Sequence, residues 1–385
     1  MNEERKRILE MVERGQLSTK EALTLLDALD KDKEDTPYKE KASYKEKETD
    51  LLDDLSRLFT GSGEKSGYQG DGKSSQHFNN GKDKLIDFFQ SALNKVKNID
   101  LDFEFNKSIE LSHVFQETEV ETLKEIAIDV ANGKVEVLPW DQNEVRVECQ
   151  VKVYRTDDLE EARRSFLANA DFYIENGKMR LSTELKWMKV NSTIYVPQAQ
   201  YEKVLVKVLN GTVKSERMKA ASFKVRSGNG KVELKDMTAK MIEVDTSNGA
   251  IHLANIHSDS VEAESINGKV YLEGDVVETD LQSLNGTIVC SLRGERADTL
   301  HAKAVTGGID LYVPDSIGLK GEAKSNLGSF KIEMEGINIV EEKNEVVQKH
   351  VHFSKESESD RKLHIFAHTK TGSVLIKKSE EKNDM

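Results

Sequence analysis

The chain has little of what marks many functional classes. Only two of its 385 residues are cysteine, Cys149 and Cys290, too few for a disulfide framework or a cysteine-ligated zinc site. Both lie in alternating apolar runs. Cys149 continues Val145 and Val147 towards Val151 and Val153, and Cys290 follows Ile288, so both are expected as buried free thiols. No run of 18 apolar residues occurs, which excludes a transmembrane helix. The opening MNEERKRILEMVERG has no apolar segment behind its charges, so no secretory signal is expected. The expected address is the cytoplasm, with membrane association or surface exposure by a non-classical route left open. Basic clusters are missing too: 56 Lys and Arg stand against 69 Asp and Glu, a net charge of -13. That balance argues against a nucleic-acid binder and against simple adsorption to an anionic membrane.

Catalytic signatures are equally scarce. There is no G-x-x-x-x-G-K-[ST] phosphate loop, no H-E-x-x-H and no G-x-S-x-G. His350 and His352 can share one strand face, with His364 and His368 nearby in sequence, yet no cysteine or carboxylate stands at matched spacing. Neither a metal nor a cofactor is expected.

What is present begins with residues 1–30, which read as a helical hairpin. Ile8, Leu9, Met11 and Val12 form one apolar stripe, and Gly15 closes that helix. Ser18 to Glu21 reads as a capping box, and Ala22, Leu25, Leu26 and Leu29 form a second stripe. Two such helices bury too little surface to stand alone, so Leu25, Leu26 and Leu29 are candidates for docking a partner or a second copy. Residues 31–81 have the Lys, Glu, Asp, Gly and Ser composition of a flexible, disordered linker. Residues 82–98 read as an amphipathic helix, either a membrane- or partner-binding element or a cap on the structure behind it.

After residue 100 the apolar period changes from 3.6 to 2, as in Leu101, Phe103, Phe105 and in Ile126, Ile128, Val130. One helix interrupts, capped by Asp157 or Asp158 and ending before Asn176-Gly177. Asn-Gly then recurs at Asn210-Gly211, Asn229-Gly230, Asn248-Gly249, Asn267-Gly268 and Asn285-Gly286, with spacings of 19, 19, 19 and 18 residues. Degenerate copies follow at Gly307, Gly328 and Gly372, and an outlier sits at Asn132-Gly133. Apolar pairs flank each copy, and Ser227, Thr246, Ser265 and Ser283 form a hydroxyl column before it. This period predicts a mainly β chain whose residues 100–378 form a β-solenoid with one coil per repeat. The competing arrangement is a set of Asn-Gly hairpins in a sandwich or meander. Asn and Gly are assigned to positive-φ turns, with the asparagines stacking from coil to coil. Val270 is assigned inwards, so Val270→Asp is expected to destabilise strongly. Lys231, Glu233 and Glu243 are assigned to water, so Glu243→Lys is expected to be nearly silent.

Polysaccharide-cleaving β-helices offer an enzymatic analogy, because Asp245 and Glu264 occupy equivalent positions on adjacent coils. Arg226 in the same column makes a solvated charge ladder the preferred reading, and the chain is read as non-enzymatic.

The pattern I-L-E-M-V-E-R-G-Q-L-S-T-K-E-A-L-T-L-L-D-A-L, followed by S-x-N-G-x-[VI]-x-L repeats, resembles the YvlB/LiaX-like family of Firmicutes. Those proteins join a SHOCT-like helical module to a β-strand-repeat "putative adhesin" domain. The resemblance implies a non-enzymatic scaffold of the cell-envelope stress response, recognition of cationic antimicrobial peptides and signalling to envelope-stress membrane proteins. An adhesin-like or self-assembling structural protein is the alternative, and a carbohydrate-active enzyme the remote one.

Overall fold

The computed structural model describes residues 107–118, 120, 122–185, 187–344, 349–359 and 361–379. The hairpin over 1–30 with Leu25, Leu26 and Leu29, the linker and the helix over 82–98 lie outside the described residues. Those described form 22 strands and one α-helix. In chain order come β1 (Ser108–Thr118), β2 (Glu125–Asn132), β3 (Val135–Trp140), β4 (Glu144–Tyr154) and helix α1 (Leu159–Ala168). Next are β5 (Ala170–Glu175), β6 (Lys178–Thr183), β7 (Met188–Pro197), β8 (Gln200–Asn210), β9 (Val213–Glu216) and β10 (Lys219–Asn229). Three long strands follow, β11 (Val232–Asn248), β12 (Ile251–Asn267) and β13 (Val270–Asn285), each contributing to two ladders. The chain closes with β14 (Ile288–Leu292), β15 (Thr299–Thr306), β16 (Ile309–Val313), β17 (Gly318–Ser325), β18 (Phe330–Glu333), β19 (Asn338–Asn344), β20 (Lys349–Lys355), β21 (Lys362–Thr369) and β22 (Val374–Lys378).

Pairing between repeats is parallel and offset by one repeat, which settles the choice between solenoid and hairpins. Val206, Val225, Val244, Ala263 and Leu281 lie side by side on successive strands. The ladder before the Asn-Gly corner runs β6, β2, β8, β10, the second halves of β11 to β13, then β15, β21 and β17. The ladder after it runs β7, β3, β9, the first halves of β11 to β13, then β14, β16, β22 and β18. Alternate side chains enter a shared core. Val225, Val244, Val232, Val270, Leu272, Cys290 and Leu311 are all buried, as their apolar columns require.

Stack order departs from chain order at both ends. β6 and β7 pack outside β2 and β3. At the far end β17 and β18 leave one position vacant, and β21 and β22 return to fill it, pairing with β15 and β16 on one side and β17 and β18 on the other. Antiparallel strands close the ends: β5 on β6, β4 and β1 beyond β7, and β20 and β19 beyond β17. Helix α1 starts where Asp158 accepts hydrogen bonds from the N–H groups of Glu160 (2.8 Å) and Glu161 (3.0 Å). Its buried Phe166 meets Phe115 and His113, and Phe115 stacks on Phe172.

The Asn-Gly corner has a different cause from the one expected. None of the asparagines in the repeated Asn-Gly pairs has positive φ, although Gly133, Gly211, Gly230 and Gly307 do, at 132–152°. What requires glycine at every coil is close approach: a Cβ on Gly249 would stand 2.0 Å from the carbonyl oxygen of Gly230, and the same contact recurs from coil to coil. Asn176-Gly177 is a true turn with φ of 52° and 73°, and it joins the antiparallel pair β5–β6. A second corner falls at Arg217, Asp236 and Asn255, all in the left-handed region, again 19 residues apart. One residue is lost there between Leu253 and Ile256 on β12 and their partners on β13, which explains the single 18-residue spacing.

Candidate functional site

Four arrangements present side chains in fixed register. The first is the corner itself. Asn210 donates to Asn132, Asn229 to Asn210, Asn248 to Asn229, Asn267 to Asn248 and Asn285 to Asn267, at 2.8–2.9 Å, and Thr306 donates to Asn285 at 2.7 Å. Each amide from Asn210 to Asn285 thus gives one hydrogen and accepts another, a continuous ladder on the surface. Beneath it Ser265 donates to the Gly249 carbonyl, and Ser283 to that of Gly268. The predicted turn residues Asn210, Gly211, Asn229, Gly230, Asn248, Gly249, Asn267, Gly268, Asn285 and Gly286 therefore all come together, as one structural seam.

The second is a cleft of about 520 Å³ at the β2–β3 and β8–β9 end of that seam. Tyr154, Trp187, Lys134, Lys189, Asn191 and Thr212 are among its walls. Asn191 accepts from the Lys134 backbone N–H at 2.9 Å, tying β7 to the corner of the next coil. No single motif announces this cleft, because its aromatics sit outside the repeats.

The third is the outer face of the first ladder. Rows across it read Lys224, Glu243, Glu262, Asp280, His301, and beside them Arg226, Asp245, Glu264, Gln282, Lys303. Glu243 is buried, against expectation, with Lys224 and Arg226 as ion-pair partners. Asp245 and Glu264 are also buried, so the ladder is not solvated as expected, and neither presents a carboxylate to a polysaccharide. Burial, then Asp245 and the neighbouring carboxylates, pushes Glu264 well above the usual range. Burial and then Glu262 raise Asp280 to about 7.

The fourth lies at the far end of the same face. Rows there read His301, Phe366, Glu322, His352, Glu341 and Lys303, His368, Lys324, His350, Lys343. Glu322 stands 3.2 Å from His368 Nε2 and 3.6 Å from His350 Nε2, and it also pairs with Lys324. Burial would raise its pKa, but hydrogen bonds from His368 and Lys324 bring it to about 2. The sequence hid this grouping because Glu322 lies 28 residues before His350.

The two cysteines do not carry activated thiols. Both are buried and free, and burial pushes Cys149 up to about 11 and Cys290 higher still.

Such a chain is a β-solenoid, its surface patterned by repeat and its thiols sealed inside. It belongs to the family described as Toastrack DUF4097, which matches residues 123–377. A SHOCT-like domain matches residues 3–34. The chain is 43% identical to "Uncharacterized protein YvlB" of Bacillus subtilis (strain 168), covering 99% of this chain and 100% of that one. Among solved structures, a "putative adhesin" from Bacteroides fragilis is 14% identical with a TM-score of 0.33, covering 71% of this chain and 97% of that chain. A "putative adhesin" from Parabacteroides distasonis is 11% identical with a TM-score of 0.36, covering 70% and 97% respectively. Among the described residues no helix is long and apolar enough to cross a membrane.

Proposed function

We propose that this chain is a non-enzymatic binding scaffold of the cell-envelope stress response, with residues 1–30 docking a protein partner and the solenoid presenting a ligand face. The observation that carries the ligand face is the cleft walled by Tyr154, Trp187, Lys134 and Lys189. Aromatic faces beside amides and ammonium groups suit a neutral or anionic ring-bearing ligand such as a wall glycan segment. The two lysines oppose a cationic peptide there.

Trp140 and Trp187 are the chain's two tryptophans, so a Trp140→Phe background isolates the cleft by fluorescence. Titration with soluble wall-glycan fragments is expected to change Trp187 emission saturably. A cationic antimicrobial peptide is the second reading, supported by the acidic rows on the first ladder and the net charge of -13. It predicts salt-sensitive binding that leaves Trp187 unchanged. Binding of neither probe would sink the scaffold reading. Edge-to-edge self-assembly is opposed by the register break around the exposed Val340 and by the charged side chains of β19.

A further inference from the structure

We infer that Glu322, His350 and His352 form a site for a first-row divalent transition metal of the zinc type, which would staple the capping strand β20 to the last coil. The three side chains come from two antiparallel strands. His350 and His352 are two residues apart, so both project from the outer face of β20 while Val351 and Phe353 are buried beneath. Glu322 of β17 lies directly opposite His352. One donor atom from each of the three falls within 4.8 Å of the others. A tetrahedral ion with ligands at about 2.0–2.2 Å needs donors roughly 3.4 Å apart, a distance reached by small side-chain rotations.

A second observation points to a ligand. His350 Nε2 is shielded from solvent and makes no hydrogen bond, although it faces Glu322 Oε1 at 3.6 Å. A sheltered imidazole nitrogen left unpaired is costly, and a metal would satisfy it. The rings of His350 and His352 lie side by side, with centroids 4.1 Å apart and planes at 65°. His368 Nε2 stands 3.2 Å from Glu322 Oε1, the oxygen that also faces His350, and would orient that carboxylate as a residue outside the ligand set. Lys324 is the competitor, since it also pairs with Glu322. Its side chain is 39% exposed, and such a pair contributes little, so the ammonium can turn to water when a dication arrives. Glu341, on the far side of His352, adds negative charge to the approach, although Lys343 pairs with it at 3.2 Å. Two imidazoles and one carboxylate favour zinc, cobalt or nickel over magnesium or calcium, which prefer all-oxygen shells.

The test uses the full chain, stripped with chelator and titrated calorimetrically with Zn²⁺. The expected result is one equivalent bound, with Mg²⁺ and Ca²⁺ not competing. His352→Gln and Glu322→Gln are each expected to weaken binding at least tenfold, whereas His257→Gln leaves it unchanged. Co²⁺ loading of the unaltered chain gives a readout independent of how well a cap variant folds. Intense visible absorption of a four-coordinate ion supports the site, and weak six-coordinate absorption overturns it. Absence of saturable zinc binding, or affinity unmoved by both cap variants, also overturns it. None of these outcomes depends on the glycan reading.

Discussion

At the scale of single residues, position in the coil does not by itself decide burial. Glu243 alternates outwards like Glu233, and a period-2 reading gives both to water. The structure leaves the Glu233 side chain 26% exposed and buries Glu243 beside Lys224 and Arg226. Glu243→Lys is therefore expected to cost about 3 kcal/mol, the loss that follows when a buried pair is broken, rather than nothing. A melting comparison with Glu233→Lys checks this, and equal tolerance of both would refute it. Asp280 supplies a pH dependence. Its folded pKa of about 7 lies above the roughly 3.9 of an unfolded aspartate, so the folded chain holds a proton that the unfolded chain has lost. The resulting penalty is absent below about pH 4, grows through pH 7 and is complete above it. Asp280→Asn is expected to melt higher than its parent at pH 8, by on the order of a few °C, with the gap closing as the pH falls towards 4. A gap that is constant with pH would show that Asp280 is not the proton holder.

At the scale of elements, the repeats were legible because each coil repeats one physical demand. Apolar residues two apart fill the core, and glycine must stand wherever carbonyl oxygens of neighbouring coils come within about 2 Å of a Cβ position. That demand explains why Gly307, Gly328 and Gly372 persist where asparagine is lost. The corner at Arg217, Asp236 and Asn255 was missed because three unlike residues share one left-handed conformation, and only Asp and Asn signal it. The cleft and the Glu322–His350–His352 group were not legible, since both join segments distant in sequence. Strand order at the ends was hidden for the same reason: nothing local tells β21 to enter between β15 and β17. A chain ending at Arg361 loses β21 and β22, leaving β15, β16, β17 and β18 without those partners. It is expected to melt well below the full chain and to form concentration-dependent aggregates in sedimentation, whereas a true terminal coil would be lost with little effect.

At the scale of the whole β-solenoid unit, repetition and closure do different work. The middle coils, from β8 to β14, form a frame in which each repeat touches only its neighbours, so their stability is nearly a sum of like terms. The ends are individual: antiparallel strands, a helix packed on aromatic rings at one end, and a histidine-bearing strand at the other. Function is expected at these departures from the repeat, which is where the cleft and the histidine group lie.

The late insertion of β21 and β22 also sets a schedule for synthesis. Ribosomes make the chain from its first residue, and the middle coils can stack as they emerge. The last interior slot stays empty until residue 378 has left the exit tunnel, so β15 to β18 wait with open strand edges. A stalled or prematurely released chain therefore displays a sticky end that a finished one hides, giving cellular proteases and chaperones a mark by which to tell the two apart.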